Sequence, residues 1–465
     1  MTVSRRGITS PHRTMKRAAA PRRPNIVFIT THDSGRHLGC YGVTTVHSPH
    51  LDALAAQGVR FTNCFATSAL CSPSRGALMT GRYPQSNGML GLCHEPYAWA
   101  FNKGEKHLSR LLHDAGYYTI LLGHQHEVAP TGPGNEFVCA PELKQPLCFD
   151  RQDKFRYPGT WQHVECDEVA AAAEAFVRGD AARRAPFFLQ LGFFENHRPH
   201  DFGGAKPDDE RGIFVPPLLI DNDAARDEFA SFQGNIRKGD AAIGRVLAAL
   251  RAAGLERDTL VLYTADHGIP FPRMKTTLYD GGIQVALIMR WPGGGITGGR
   301  HNSWLLSNVD VVPTLLDLIR VKLPANLDGL SFARAFKGRA KPVRDHIFAE
   351  QLAHTGTCDS RCVRTERHKL IRNFSVGQMY DIPINVALER YKGTRPLIEV
   401  YDLTHDPMEM TNLADEPACA RVRAQLDAAL WRWLEEVNDP ILKGPVRTPA
   451  YERAIAGYHA FKKQR

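Results

Sequence analysis

The chain lacks an uninterrupted apolar run of about 18 residues, the length a membrane-crossing helix requires, so the pattern excludes a transmembrane protein. No export signal is expected either. Arg5, Arg6, Arg13, Lys16, Arg17, Arg22 and Arg23 are followed by no acid in this opening segment, and Ala18-Ala19-Ala20 falls short of the about 7–15 apolar residues of a secretory core. Residues 1–23 therefore read as a solvated basic tail, and a soluble, cytoplasmic protein is expected. No regular cysteine framework is present: the ten cysteines are irregularly spaced and are expected to be reduced. Cys358 and Cys362 have no second pair to complete a structural zinc site. Internal repeats and low-complexity tracts are absent too. What is present is a mixed composition, 43% hydrophobic and 23% charged over 465 residues, which excludes disorder and fibrous classes. The net charge of +9 favours an acidic partner, such as nucleic acid, an anionic membrane or a sulfated glycan.

Short β-branched apolar runs recur at Asn25–Thr31, Tyr118–Leu122, Phe187–Leu191 and Leu260–Thr264, each followed closely by His, Asp or Glu. Between them, His50–Gln57, Lys106–Ala115, Asp167–Arg178 and Ala224–Ala253 place apolar residues on one helical face. Such alternation predicts a large, mostly parallel sheet sandwiched by helices, in which ligands bind beyond the carboxyl ends of the strands. Beyond Pro342 the texture changes to short strands (His346–Ala349, Cys362–Arg364, Lys369–Arg372, Glu399–Asp402) and a helix over Ala420–Val437. The expected division is an α/β domain over residues 24–340 and a smaller C-terminal α+β domain over 341–465.

One segment stands out: Cys71-Ser72-Pro73-Ser74-Arg75-Gly76-Ala77-Leu78-Met79-Thr80-Gly81-Arg82. It reads as a cysteine just before a helix start, with Ser72 or Ser74 to cap, Pro73 in the first turn, and exposed amides that favour an anion. Those amides would depress a thiol's pKa, so a plain cysteine nucleophile fits, as does an inert buried cysteine.

Cys-x-Pro-Ser-Arg followed by Thr-Gly-Arg resembles the signature of the sulfatases, within the alkaline phosphatase superfamily. The resemblance runs from about Asn25 to Val437. It includes Gly123-His124-Gln125-His126, Asn196-His197-Arg198 and Val309–Asp317, and the landmarks Tyr401-Asp402-Leu403, Asp406-Pro407, Glu409 and Asn412-Leu413-Ala414. Asp266-His267-Gly268-Ile269-Pro270-Phe271-Pro272 and Asn87-Gly88-Met89 look like the heparan N-sulfatase (sulfamidase) branch. The fold so implied is alkaline-phosphatase-like.

The resemblance implies that a formylglycine-generating maturation enzyme converts Cys71 to formylglycine. One hydroxyl of its hydrate attacks sulfur and the other later expels sulfate, which an ordinary serine or cysteine has no means to do. Arg75 holds the hydrate and neutralises sulfuryl oxygens, Lys275 places a cation on the sulfate, His126 holds the hydrate, and His197 is the general acid. One divalent ion is implied, with Asp33, Asp266, His267 and the hydrated residue 71 (Cys71) as ligands. Oxygen ligands suit Ca²⁺, with Mn²⁺ or Mg²⁺ as alternatives. Three departures from the family pattern stand here: His32 for an aspartate, His267 for an asparagine, and His124 for a lysine, bringing imidazole nitrogen to the site. His32 is either a ligand or turned aside. Protonated His124 would donate a hydrogen bond that is lost as pH rises.

The expected substrate is N-sulfoglucosamine of heparan-type saccharides, with no nucleic acid or membrane partner. An O-sulfatase, or a phosphonate or phosphodiester hydrolase of the same superfamily, is the sibling reading. A sulfated-glycan binder that leaves Cys71 unmodified is the reading from another class. His354, His368, Trp99, Phe101 and Tyr380 stand as residues that either touch a sugar or merely pack or face solvent.

Overall fold

The structure, a computed structural model, describes residues 23–129, 146–153, 164–184, 186–338, 340–352, 359–375 and 395–463. Asn25–Thr31 forms β1, and all seven of its residues are buried, as a strand covered on both faces requires. Its residues alternate between two cores. Val27 and Ile29 pack with the helices Cys166–Arg178 and Asp223–Ala252, whereas Ile26 and Phe28 join Leu78, Leu112 and Leu315 on the opposite face. Each such side chain contributes about 1.5–3 kcal/mol by leaving water.

The sheet continues through β2 (Val59–Phe65), β3 (Tyr118–Gly123), β4 (Arg151–Gln152), β5 (Phe187–Phe193), β6 (Thr259–Ala265), β7 (Gln284–Arg290), β8 (Arg300–Asn302) and β9 (Leu306–Ser307). Its order is β4-β3-β5-β1-β6-β7-β2-β8, with β9 also on β2. Within this sheet, β7 alone among the described strands runs antiparallel to its neighbours, β6 and β2. The sheet is therefore mixed and mostly parallel, as expected. β2 and β7 escaped the sequence reading. β7, antiparallel to β6, presents its amino end to the edge where the other strands end.

Register decides where the chemistry can lie. Thr31 is level with Phe193 on one side and Ala265 on the other, and Gly123 is level with Gly192. The segments that open with His32, His124, Phe194 and Asp266 thus leave the sheet along one edge. Gly192 is required there: a Cβ would come within 1.7 Å of the His124 carbonyl oxygen, so no side chain fits between the two strand exits.

A second sheet, all antiparallel, has the order β10-β11-β12-β13, formed by Ile347–Gln351, Ser360–Arg364, His368–Asn373 and Ile398–Asp402. The helix Ala420–Glu436 lays Leu426, Leu430, Trp433 and Leu434 against Val363, Leu370 and Val400. The sheets meet where Ser68 bridges Glu350 and the Glu350 amide donates to Thr67 O at 2.8 Å. No described helix is long and apolar enough to cross a membrane. The eight cysteines among the described residues are free, six of them buried.

Candidate active site at the strand ends

The segment 71–80 is a helix whose ten residues are all buried. Cys71 is its first residue, preceded by Leu70 in extended conformation. Neither serine caps it, contrary to expectation. Ser72 Oγ accepts from the Cys93 amide at 3.1 Å, and Ser74 Oγ donates to the Asp266 carbonyl, so both hydroxyls tie the helix to neighbouring segments. Burial also reverses the expected effect on the thiol. Desolvation pushes the Cys71 pKa up, and Asp266 and Asp33 add to it, outweighing Lys275 and Arg75. Burial thus favours the protonated form of an unmodified Cys71 thiol, which argues against a plain thiolate nucleophile.

Asp33 and Asp266 lie beside it, both fully buried. Burial alone would raise their pKa values, yet Lys275, His197 and His267 hold Asp33 well below the usual range, and His267, His32 and Arg75 do the same for Asp266. Lys275 Nζ reaches the two Asp33 oxygens at 2.8 and 3.0 Å. Arg75 Nε donates to Asp266 Oδ2 at 3.1 Å and Nη1 to Thr30 Oγ1 at 3.3 Å, while Nη2 has no partner among the described residues. Asp33 (φ 49°), Asn196 (φ 82°), Arg273 (φ 66°) and Thr276 (φ 67°) occupy left-handed backbone in the loops that carry these groups.

Imidazoles complete the cluster. One ligand atom from each of His32, Asp33, Cys71, Asp266 and His267 lies within 4.8 Å of all the others. His32 does not turn aside: its Nδ1 is 2.9 Å from Asp33 Oδ1 and 3.1 Å from Asp266 Oδ2. His267 has its Nδ1 3.0 Å from Gly268 O, and its Nε2 3.2 Å from Asp33 Oδ1 and 3.4 Å from Cys71 Sγ. Nε2 thus faces a carboxylate oxygen and the residue 71 side chain, an arrangement that suits a cation among them. The donor set, two ionised carboxylates with an imidazole nitrogen, fits a divalent ion.

The Sulfatase family model matches residues 24–321, more than half of the chain. The chain belongs to the sulfatase family. Residues 272–436 also match the model described as N-sulphoglucosamine sulphohydrolase, C-terminal. Human N-sulphoglucosamine sulphohydrolase is 28% identical, covering 92% of each chain. An ulvan-active sulfatase of Formosa agariphila is also 28% identical, covering 96% of this chain and 88% of its own. Among solved structures, one in complex with its substrate D-glucosamine-2-N,6-O-disulfate has a TM-score of 0.68 at 21% identity, covering 90% of this chain and 99% of that one. The phosphonate monoester hydrolase of Agrobacterium radiobacter has a TM-score of 0.66 at 22% identity, covering 89% and 96%. At these identities the structural likeness is one of fold, and that fold is the alkaline-phosphatase-like one with a small antiparallel C-terminal sheet.

The remaining residues singled out in this sulfatase also converge. The His32 ring lies 4.7 Å from that of His197 and 5.1 Å from that of His124, and His126 stacks on His94 at 5.1 Å. Burial, then Lys275, pulls His197 down to about 4. Desolvation, then His94 and Arg75, holds His126 well below its usual value. Phe101 packs on the core and Trp99 presses against Gly91, where a Cβ would meet its Nε1 at 2.4 Å. His368 is in the second sheet, 4.0 Å from Asp402. His354, Tyr380 and Cys358 lie outside the described residues. Sequence reading missed Glu127, a fully buried carboxyl that accepts from the His126 amide at 2.8 Å and that burial pushes up against the opposing pull of Arg75. Its signal was its place directly after His126 in a strand-exit loop.

Proposed function

We propose that this sulfatase removes the sulfuryl group from a sulfated sugar, with the sulfamate of N-sulfoglucosamine as the preferred substrate and Cys71, converted to formylglycine, as the nucleophile. One observation carries the reading: residue 71, two ionised carboxylates and two imidazoles converge within 4.8 Å at the carboxyl edge of the sheet. A divalent ion held by Asp33, Asp266 and His267, with His32 behind it, would polarise a sulfuryl oxygen and lower the pKa of the attacking hydroxyl. Its oxygen donors suit Ca²⁺, and its nitrogen donor suits Mn²⁺.

The chain's own groups account for the rest. Arg75 and Lys275 balance the charges of Asp33 and Asp266, so the ion's charge remains to attract an anionic substrate. The Arg75 Nη2 protons, unused by the described chain, are available to a sulfuryl oxygen. His197 Nδ1 lies 2.6 Å from Arg198 O and donates to it, so Nε2 is the nitrogen that hands a proton to the departing amine. Because its pKa is pulled down to about 4, the acid form grows as pH falls, and a bound anion raises its share.

The match to the N-sulphoglucosamine sulphohydrolase model over residues 272–436 favours the sulfamate. An O-sulfated polysaccharide is the second reading, favoured by the ulvan-active relative of equal identity. Sulfate release should be compared for N-sulfoglucosamine, an O-sulfated sugar and a phosphodiester, with protein produced beside a formylglycine-generating enzyme. Mass spectrometry of the Cys71 peptide should show the aldehyde. A persistent thiol with glycan binding and no turnover would replace the enzyme reading by that of a binder.

A further inference from the structure

His32, His124 and His126 place one ring nitrogen each within 4.8 Å of the others, a second group that overlaps the carboxylate cluster only through His32. We infer that these three imidazoles hold a second metal ion, of the Zn²⁺ class, next to the ion between Asp33 and Asp266; the inference rests on the proposed placement of that first ion.

The orientation of His32 is the first support. Its Nδ1 faces Asp33 Oδ1 at 2.9 Å and Asp266 Oδ2 at 3.1 Å, which leaves Nε2 as the ring nitrogen for a second ion, with carboxylates behind the ring, the arrangement by which metal-binding histidines are held. His32 would then support the first ion indirectly while ligating the second. His126 supplies an independent observation: its Nδ1 is buried and has no hydrogen-bond partner among the described residues. A buried ring nitrogen in that state calls for a ligand.

The backbone that carries His124 and His126 is also fixed before any ion arrives. The His124 amide donates to Gly192 O at 2.8 Å, at the close crossing where only glycine fits. His126 is held by its stack on His94 and by Glu127 accepting from its amide. Three imidazoles without an oxygen ligand suit Zn²⁺ or Co²⁺ rather than Ca²⁺, and three protein ligands leave a position open for water or an anionic oxygen. Two of them, His32 and His124, are positions at which this chain departs from the sulfatase pattern, and they are neighbours in space, 5.1 Å between rings.

The test is metal stoichiometry on the full chain. Metal-stripped protein is reloaded with Zn²⁺, desalted and measured by elemental mass spectrometry, with Co²⁺ absorption reporting nitrogen ligation. Two ions per wild-type chain are expected, one in His124→Lys and one in His126→Gln, with the nitrogen-ligated cobalt band lost in both. Asp266→Asn is expected to lose the other ion and keep that band. Circular dichroism selects the variant that folds, and either histidine variant suffices. One ion in the wild type, or two in a folded histidine variant, overturns the proposal. Two ions without sulfamate turnover would retire the substrate reading and leave this one, whereas turnover with one ion would do the reverse.

Discussion

Two buried clusters of charge, one at the strand ends and one between the two sheets, use the same residue types to opposite ends. Between the sheets, Lys369 Nζ meets Asp280 at 2.5 Å, Glu409 at 2.8 Å and Leu278 O at 3.0 Å. Arg364 grips Asp280 through Nε and Nη2 and lies over the Phe65 ring. That cluster pairs its charges internally, although Glu409 Oε1 faces Lys369 without a hydrogen bond. At the strand ends, among the described residues, the Lys275 ammonium reaches only Asp33, Arg75 Nη2 and His126 Nδ1 find no partner, and His267 Nε2 faces an Asp33 oxygen. A satisfied network holds elements together, whereas an under-satisfied one at equal burial is held by its surroundings in readiness for a ligand.

The sharpest way to break this contrast is substitution at the open cluster. Cys71→Ala is expected to lower sulfate release by at least about 1,000-fold while the melting temperature stays within a few degrees. Comparable turnover in that variant would remove residue 71 from the chemistry. Next in size, Lys369→Met leaves Asp280 and Glu409 short of a cation in the closed cluster and should destabilise the fold by about 3–5 kcal/mol in urea titration. Its kcat per folded molecule should change little, and unaltered stability would show that the closed cluster is not structural.

Glu350, buried at the junction where β10 meets Ser68, tests a third kind of buried charge. Burial pushes its pKa up to about 8 despite the opposing pull of Arg361. The folded state therefore keeps its proton while the unfolded state gives it up, and this contribution to stability, complete below about pH 4.5, is lost as pH rises toward 8. Glu350→Gln should melt higher than the wild type at pH 8, and the difference should vanish near pH 4.5. A pH-independent difference would mean that the carboxyl does not titrate there. The smallest effect is expected at the surface: Arg226→Ala removes a half-exposed pair with Asp221 and should cost less than about 0.5 kcal/mol in the same titration.

Much of this was legible along the chain. β1, β3, β5 and β6 were visible because strands buried on both faces are continuous apolar runs, and the residues following them pointed to the edge that carries the site. The antiparallel β7 was not, because the rule that finds chemistry at carboxyl ends passes over a strand that enters the sheet from the site. The lost caps at Ser72 and Ser74 have a similar cause. Local spacing favours a cap, but hydroxyls in a fully buried helix went to distant partners, Cys93 and Asp266, that no local pattern displays.

By itself the sequence determined the alternating strands and helices, the family, and the residue types available for chemistry, since each depends on periodicity or on motifs contained within a few turns of chain. Tertiary structure alone decided that burial pushes the Cys71 thiol pKa up, that His32 faces two carboxylates, and that His124 and His126 stand beside it. Those outcomes depend on desolvation and on distances between segments separated by up to 234 residues, Asp266 from His32, and only the packed sheet sets either.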